Sequence, residues 1–389
     1  MKIFHKVIVV LILACAMLLS TIGSCLAEET IKLGYIGDLS SSDAYIAQAG
    51  LYAVQDYVEE LNANGGLLGM QVEIVPYDIG RQNEEVVNVV NKLIYMDRVS
   101  AIIGPTASVH AIAATPIVTQ GQVPMVSIAA SNPSVTVDAN GKVQPFVFRV
   151  CMIDPYQGTA LADFAYNELG APVTGTIAPL ENSYSQGLVS YFVEHYEALG
   201  GQVAKQLGYR DGEVEFRAQL TDLASEGVQC LFVTASAYRD AVFMVQQAQE
   251  LGLDFTWLFG DAIYAQELID NVGEALEGKC YISTGITESD GTYDEYYAAF
   301  NAKHSDQTAN IYALYAMDAM KAIEYAINTS GSKDPVAIRD ALENMVDVPV
   351  FTCSMTMEPD THNPHNKPVS IITIQNGTFE LYKVYTPQD

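Results

Sequence analysis

The stretch Ala101 to Thr136, AIIGPTASVHAIAATPIVTQGQVPMVSIAASNPSVT, places small hydroxyl residues directly after two short apolar runs. Ala101 to Ile103 reads as one strand and Val123 to Val126 as the next. Ser108 follows the first, where a helix starts, and Ser127 to Ser131 follow the second. Neighbouring strands of a parallel sheet end on one edge, so both turns are expected to face one crevice. Backbone N–H groups and serine hydroxyls at a helix N-terminus suit a carboxylate or another anion. The stretch therefore reads as one wall of a ligand cleft.

The elements that would carry this wall alternate along the chain. Ile31 to Ile36 reads as a strand, and Leu51, Val54, Val58 and Leu61 recur at helical spacing until Asn64-Gly65-Gly66 stops the helix. Val72 to Val75, then a helix with Val86, Val90, Leu93 and Ile94, feed the strand at Ala101. A second block begins at Asp154-Pro155, which reads as a helix N-cap followed by proline. Strands near 173–177, 203–207, 228–233 and 255–259 alternate there with helices. The last third is mostly helical, with Ala313, Ala316, Met317, Met320, Ile323 and Ile327 on one broad apolar face. Strands follow at 350–357 and 369–384, the latter turning at Asn376-Gly377, a hairpin signature. This βαβ rhythm, repeated in two blocks, predicts two α/β lobes, each a parallel sheet flanked by helices.

Composition narrows the partners. The 389 residues hold 47 acidic against 19 basic side chains, a formal net charge of −28, which disfavours nucleic acid and anionic membrane surfaces. Residues 1–27 carry Lys2 and Lys6 and an unbroken apolar run from Val7 to Leu19, the pattern of an export signal peptide. Ile22-Gly23-Ser24-Cys25 resembles a lipobox and Ala27 an ordinary cleavage site, so a lipid-anchored and a released protein both stand. Cys151, Cys230, Cys280 and Cys353 follow with no metal-ligand spacing, and Cys230 reads as a buried strand residue. The Gly-rich run at 64–69 lacks the Gly-Lys-Ser/Thr ending of a phosphate loop. No G-x-S-x-G elbow occurs. His362 and His365 lie among Asn and Pro and read as an exposed turn. Nothing forms a catalytic or metal constellation, and no cofactor is implied.

Several segments, in order along nearly the whole chain, resemble one family: IKLGYIGDLS, ELNANGGLLGMQVEIVPYD, AIIGPTASV, VPMVSIAASNPSVT, FVFRVCMIDPYQGTALADFA, NSYSQGL, and QQAQELGL followed by LFGD. They resemble the type I periplasmic binding proteins of the branched-chain amino acid (Leu/Ile/Val) family, the substrate receptors of ABC importers. The resemblance implies two lobes joined by a three-strand hinge, with crossings near 149–154, 280–284 and 351–355. It assigns 28–150 plus 282–351 to lobe 1 and 151–281 plus 352–389 to lobe 2. It implies a monomer outside the cytoplasm that delivers its ligand to membrane permease subunits. All of Cys151, Cys280 and Cys353 would then lie beside the hinge, and a Cys280 to Cys353 disulfide is one implied pairing.

Carried over by position, the resemblance implies that Ser108 holds a ligand carboxylate, that Ala129 and Ser131 offer a carbonyl and a hydroxyl, that Asp261 faces an ammonium, and that Tyr184 covers the ligand from the opposite lobe. An α-amino acid needs both poles. Plainer readings stand beside these: Ser108 and Asp261 as helix caps, Ser131 as organiser of the Asn132-Pro133 turn, Tyr184 as a surface residue. Departures leave the side chain of the ligand open. Ala237, with Tyr238 next to it, stands where an aromatic is usual, Asp43 and Tyr45 alter the pocket segment 38–49, and Ala107 removes the disulfide of the enteric proteins. Urea, short amides or aromatic acids are alternative ligands, and a sensory receptor is an alternative use of the fold.

Overall fold

The computed structural model describes residues 30–41, 43–235, 237–286, 288 and 291–386. The expected signal peptide and the Cys25 site lie outside the described residues. Two parallel sheets dominate. The first contains β1 (Ile31–Gly37), β2 (Val72–Asp78), β3 (Ala101–Ile103), β4 (Met125–Ser127) and β5 (Val147–Arg149), in the order β2-β1-β3-β4-β5. The second contains β6 (Val173–Pro179), β7 (Gln202–Tyr209), β8 (Cys230–Val233), β9 (Thr256–Phe259) and β10 (Cys280–Thr284). Their order, β7-β6-β8-β9-β10, repeats the winding of the first sheet. Each lobe therefore has its strand-order reversal beside its first strand, where open α/β sheets bind ligands.

The burial patterns follow from these positions. Central β1 buries Ile31, Leu33, Tyr35 and Ile36 completely, because helices cover both faces. Edge strand β2 alternates buried and open residues instead. The helix Ile311–Ser330 buries all six residues of its expected apolar face and packs on Tyr45–Ala63, where Ala49 and Ala53 meet Ala313 and Met317. The hairpin of β13 (Val369–Gln375) and β14 (Thr378–Tyr385) completes the second sheet antiparallel to β10. Its turn uses positive φ at both Asn376 (53°) and Gly377 (73°), as the Asn-Gly pair requires.

Several expectations need correction. The strand expected over 350–357 is only the short ladder of β11 (Val348–Pro349) with β12 (Ser354–Met355), because the chain turns between them, Val350 N–H donating to Cys353 at 2.9 Å. β10 pairs within the second sheet through Thr284. His362 binds the edge of β5, Arg149 N–H donating to its carbonyl at 3.3 Å, and β13 joins the second sheet at Val369. His362 is not exposed. Its ring stacks on Phe148 at 4.0 Å, with Nδ1 2.9 Å from the Val147 carbonyl and Nε2 3.2 Å from Glu343. His365 does remain on the surface, paired with Glu358.

Cys151, Cys230, Cys280 and Cys353 are free thiols, which removes the implied Cys280 to Cys353 bridge. Cys280 is enclosed in the sheet opposite Trp257, whereas Cys353 lies 3.9 Å from Lys367 Nζ. That lysine is itself buried against Asp318 at 3.2 Å. Cys230 is the buried strand residue expected.

Candidate functional site

The carboxyl ends of both sheets open onto one cavity of about 170 Å³ between the lobes. Asp38 follows β1, Arg81 follows β2, Thr106 to Ser108 follow β3 and Ala129 follows β4. From the other lobe, Glu181, Asn182 and Tyr184 follow β6, Asp211 follows β7, and Asp261 follows β9. Tyr312, in the first turn of Ile311–Ser330, closes a further side. Such convergence of strand ends on a concave, mixed-polarity space is where small ligands bind.

Of the residues expected from the sequence, Ser108, Ala129, Tyr184, Asp261 and Asp43 line this cavity. Ser108 opens the helix Ser108–Gly121 but does not cap it. Its Oγ accepts from Asn132 N–H at 3.2 Å, stitching the β3 turn to the β4 turn. Asp261 does not cap Gln266–Leu276 either. Its Oδ1 accepts from Gln157 Nε2 at 2.9 Å and from Tyr184 OH at 2.8 Å. Burial pushes its carboxyl above the ordinary carboxylate range, and those two donors oppose the shift. The result is a carboxylate lining the cavity with polar support and, among the described residues, no salt-bridge partner.

Asp43, besides lining the cavity, joins the two lobes. Its carboxylate is held by Arg81 of its own lobe and by Arg239 of the other, while Arg81 also reaches Asp211 at 3.4 Å. Next to this seam Tyr45 and Tyr238 meet edge-on at 5.5 Å. Asn132 Nδ2 donates across the cleft to the Ser183 carbonyl at 2.8 Å. These contacts hold the two lobes in a closed arrangement.

Ser131, Ala237 and Tyr238 do not line the cavity. Ser131 is buried behind Ala129, and its Oγ has no well-aligned partner. The Asn132-Pro133 turn is instead organised by the Asn132 side chain, which accepts from Ser134 N–H at 2.9 Å. Ala237 is enclosed at the start of Tyr238–Glu250, and Tyr238 is turned toward Tyr45. Sequence reasoning missed Arg81, Glu181, Asp211 and Tyr312. The first three follow strands that it had placed, so the strand-end rule was the signal that could have found them. Among the described residues no group of three or more His, Cys, Asp or Glu could hold a metal ion, and no helix is long and apolar enough to cross a membrane.

Two doubly wound lobes closed over a small polar cavity define a solute-binding receptor of the type I periplasmic class. Residues 30–378 match the family model described as periplasmic binding protein, and the chain belongs to that family. It is 27% identical over 342 residues to the leucine-, isoleucine-, valine-, threonine- and alanine-binding protein of Pseudomonas aeruginosa, covering 87% of this chain and 89% of that one. Its fold is similar to a leucine-binding protein of Thermotoga maritima, with a TM-score of 0.82, 30% identity, and 92% and 99% of the two chains covered. It is equally similar to the branched-chain amino acid transporter substrate-binding protein of Streptococcus pneumoniae, solved with isoleucine, with a TM-score of 0.82, 26% identity, and 92% and 100% covered. By family, the protein is thus an extracytoplasmic, periplasmic-type binding protein.

Proposed function

We propose that the cleft captures an α-amino acid as its zwitterion. The observation that carries this reading is Asp261, whose carboxylate lines the cavity and accepts from Gln157 and Tyr184, in a space that Ser108 enters from the opposite lobe at a helix N-terminus. Asp261 takes the ammonium. Ser108 and the N–H groups beside it take the carboxylate, and the Ala129 carbonyl supplies a further acceptor. Tyr184 covers the ligand from the second lobe. Ile46, Ala47 and the seam of Asp43 and Arg81 bound its side chain, with Tyr238 and Ala237 supporting that end from behind.

Capture follows from closure. Contacts from both lobes coexist only when the lobes meet, so ligand shifts the population toward the closed form that a permease recognises. Moving from mostly open to mostly closed takes about 5.5 kcal/mol of differential affinity, within reach of several charge-assisted hydrogen bonds and a buried side chain. Sheet membership supports a division with 30–150 and 285–367 in lobe 1 and 151–284 and 368–386 in lobe 2. The mature protein acts as a monomer, tethered through a lipidated Cys25.

The test is a thermal-shift screen of the mature protein against amino acids, short amides and aromatic carboxylates, because ligand that binds only the folded state raises its stability. A shift with α-amino acids that disappears in Asp261→Ala is expected. A shift confined to ligands without an ammonium group overturns the reading.

A further inference from the structure

Three consecutive carbonyls of the loop after β4 are each held by a donor from the segment 149–154. Arg149 Nη1 donates to the Ala130 carbonyl at 2.7 Å, and Nη2 donates to the Asn132 carbonyl and to Thr136 Oγ1, both at 2.9 Å. Between them, the backbone N–H of Asp154 donates to the Ser131 carbonyl at 3.1 Å. Arg149 and Asp154 are fully buried, and neither lines the cavity. Asp154 does not serve as the N-cap expected from Asp154-Pro155. Ile153 holds that position, and both Asp154 carboxylate oxygens lack a well-formed hydrogen bond, with the Ser131 hydroxyl beside them.

Burying a guanidinium and a carboxyl is costly, and apolar residues would serve packing alone as well or better. What this pair supplies instead is a fixed backbone for the loop that carries Ala129 and Ser131. We propose that Arg149 and Asp154 are positioning residues for the ligand: they lock the backbone of Ala130 to Asn132, Asp154 also accepting the Ser131 O–H, and so fix the adjoining Ala129 carbonyl that faces the ligand. This rests on the amino-acid reading of the cleft.

The surroundings of Asp154 give the device a measurable signature. The titratable groups around it are Arg149 on β5, Cys151 beside it, Asp261 after β9, and Tyr184 and Tyr191 on Ser183–Ala198. Gly187 of that helix lies over it: a Cβ there would stand 3.1 Å from Asp154 Oδ2 and 2.7 Å from Asn132 Nδ2 of the other lobe. Burial pushes the Asp154 carboxyl up to about 8, with the Ser131 hydroxyl and Arg149 opposing. When the lobes part, Asn132 withdraws and water reaches the carboxyl, so its pKa falls. Closure therefore takes up a proton. Ligand affinity falls as pH rises toward about 8 and levels off above it.

The experiment is calorimetric titration of the mature protein with L-leucine between pH 5.5 and 9. It compares wild type with Asp154→Asn, Asp154→Ala and Arg149→Lys. Asp154→Ala and Arg149→Lys are expected to bind roughly tenfold or more weakly, since one loses the acceptor and the other cannot span both carbonyls. Asp154→Asn keeps an oxygen acceptor, so it recovers most of that loss and has a shallower pH dependence below pH 8. Wild-type affinity in both Asp154→Ala and Arg149→Lys, or an unchanged pH slope in Asp154→Asn, overturns the proposal. If the first two do not fold, the Asp154→Asn slope decides alone. If wild type binds no α-amino acid, the reading of the cleft fails separately. Hydrogen exchange at Ser131 and Asn132 in ligand-free protein then decides whether Arg149 holds the loop, faster exchange in Arg149→Lys supporting it and unchanged exchange overturning it.

Discussion

Asp261 concentrates the chemistry of the cleft in one side chain. Replacing it with asparagine keeps the shape and an acceptor for Tyr184 or Gln157 but removes the charge that an ammonium would meet. A desolvated charge-assisted contact is worth about 3 kcal/mol, so Asp261→Asn is expected to weaken α-amino acid binding roughly 100-fold by calorimetry. The closed, ligand-saturated protein should also carry a pH signature of its buried acids. Burial raises the carboxyls of Asp261, of Asp154 to about 8 and of Glu288 to about 7. Groups raised in the folded state contribute stability that is complete below their unfolded values and lost as pH rises through the folded ones. Burial lowers His110 and His362, whose contribution grows with pH but is complete once pH passes their unfolded values near 6.5. Between about pH 7 and 8 the carboxyls therefore dominate. The melting temperature of the closed, ligand-saturated protein should fall across that window, and Asp154→Asn should flatten the fall. A melting temperature that climbs over it in both proteins would contradict the burial described for Asp154.

Elements explain both what the sequence made legible and what it hid. Strand and helix alternation follows from local apolar periodicity, so β1, β3, β6 and the helix Ile311–Ser330 are readable, and the strand-end rule put Ser108 and the turn carrying Ala129 on one wall, whereas Tyr184 and Asp261 came from the family resemblance alone. Partners distant in sequence are not readable. Nothing in the neighbourhood of Asp43 reveals that Arg239 lies against it, and nothing around His362 reveals the Phe148 ring beneath it. Short connecting segments also escape: 350–357 has strand composition, yet its backbone turns to bring Thr352 onto Asp318, N–H to Oδ1 at 2.7 Å. Gly187 is a further example, since a glycine inside a helix looks like a weakness from sequence alone. Alanine there would favour the helix by up to about 1 kcal/mol. Its Cβ, however, would come 2.7 Å from Asn132 Nδ2 across the cleft. Gly187→Ala is thus expected to leave ligand-free melting unchanged or higher while weakening ligand binding roughly tenfold, as an obstacle to closure would. Adding Asn132→Ala removes the clash and should recover part of the affinity. Equal loss in the single and double variants would locate the effect elsewhere.

At the scale of the whole molecule, closure is held by charge as well as by ligand. Arg239, Asp43, Arg81 and Asp211 alternate in sign along a seam in which each lobe contributes one acid and one base. The arginine side chains are 44% and 40% exposed, whereas the Asp43 side chain is only 11% exposed. Such pairs are worth about 0.2–1 kcal/mol each when solvated, and salt screens them. The seam therefore cannot close the lobes without ligand, but it slows their reopening. Arg239→Ala is expected to weaken amino-acid affinity roughly two- to fivefold, chiefly through faster dissociation. Asp43→Asn should do the same, and the double variant should lose less than the sum, since both remove one contact. Raising ionic strength should reduce wild-type affinity more than that of Arg239→Ala, because the variant has less of the screened interaction left to lose. Stopped-flow dissociation at low and high salt separates this from direct ligand contact: if Asp43 touched the ligand charge itself, Asp43→Asn would alter the ranking of amino acids, whereas a clasp between lobes lowers all of them in proportion.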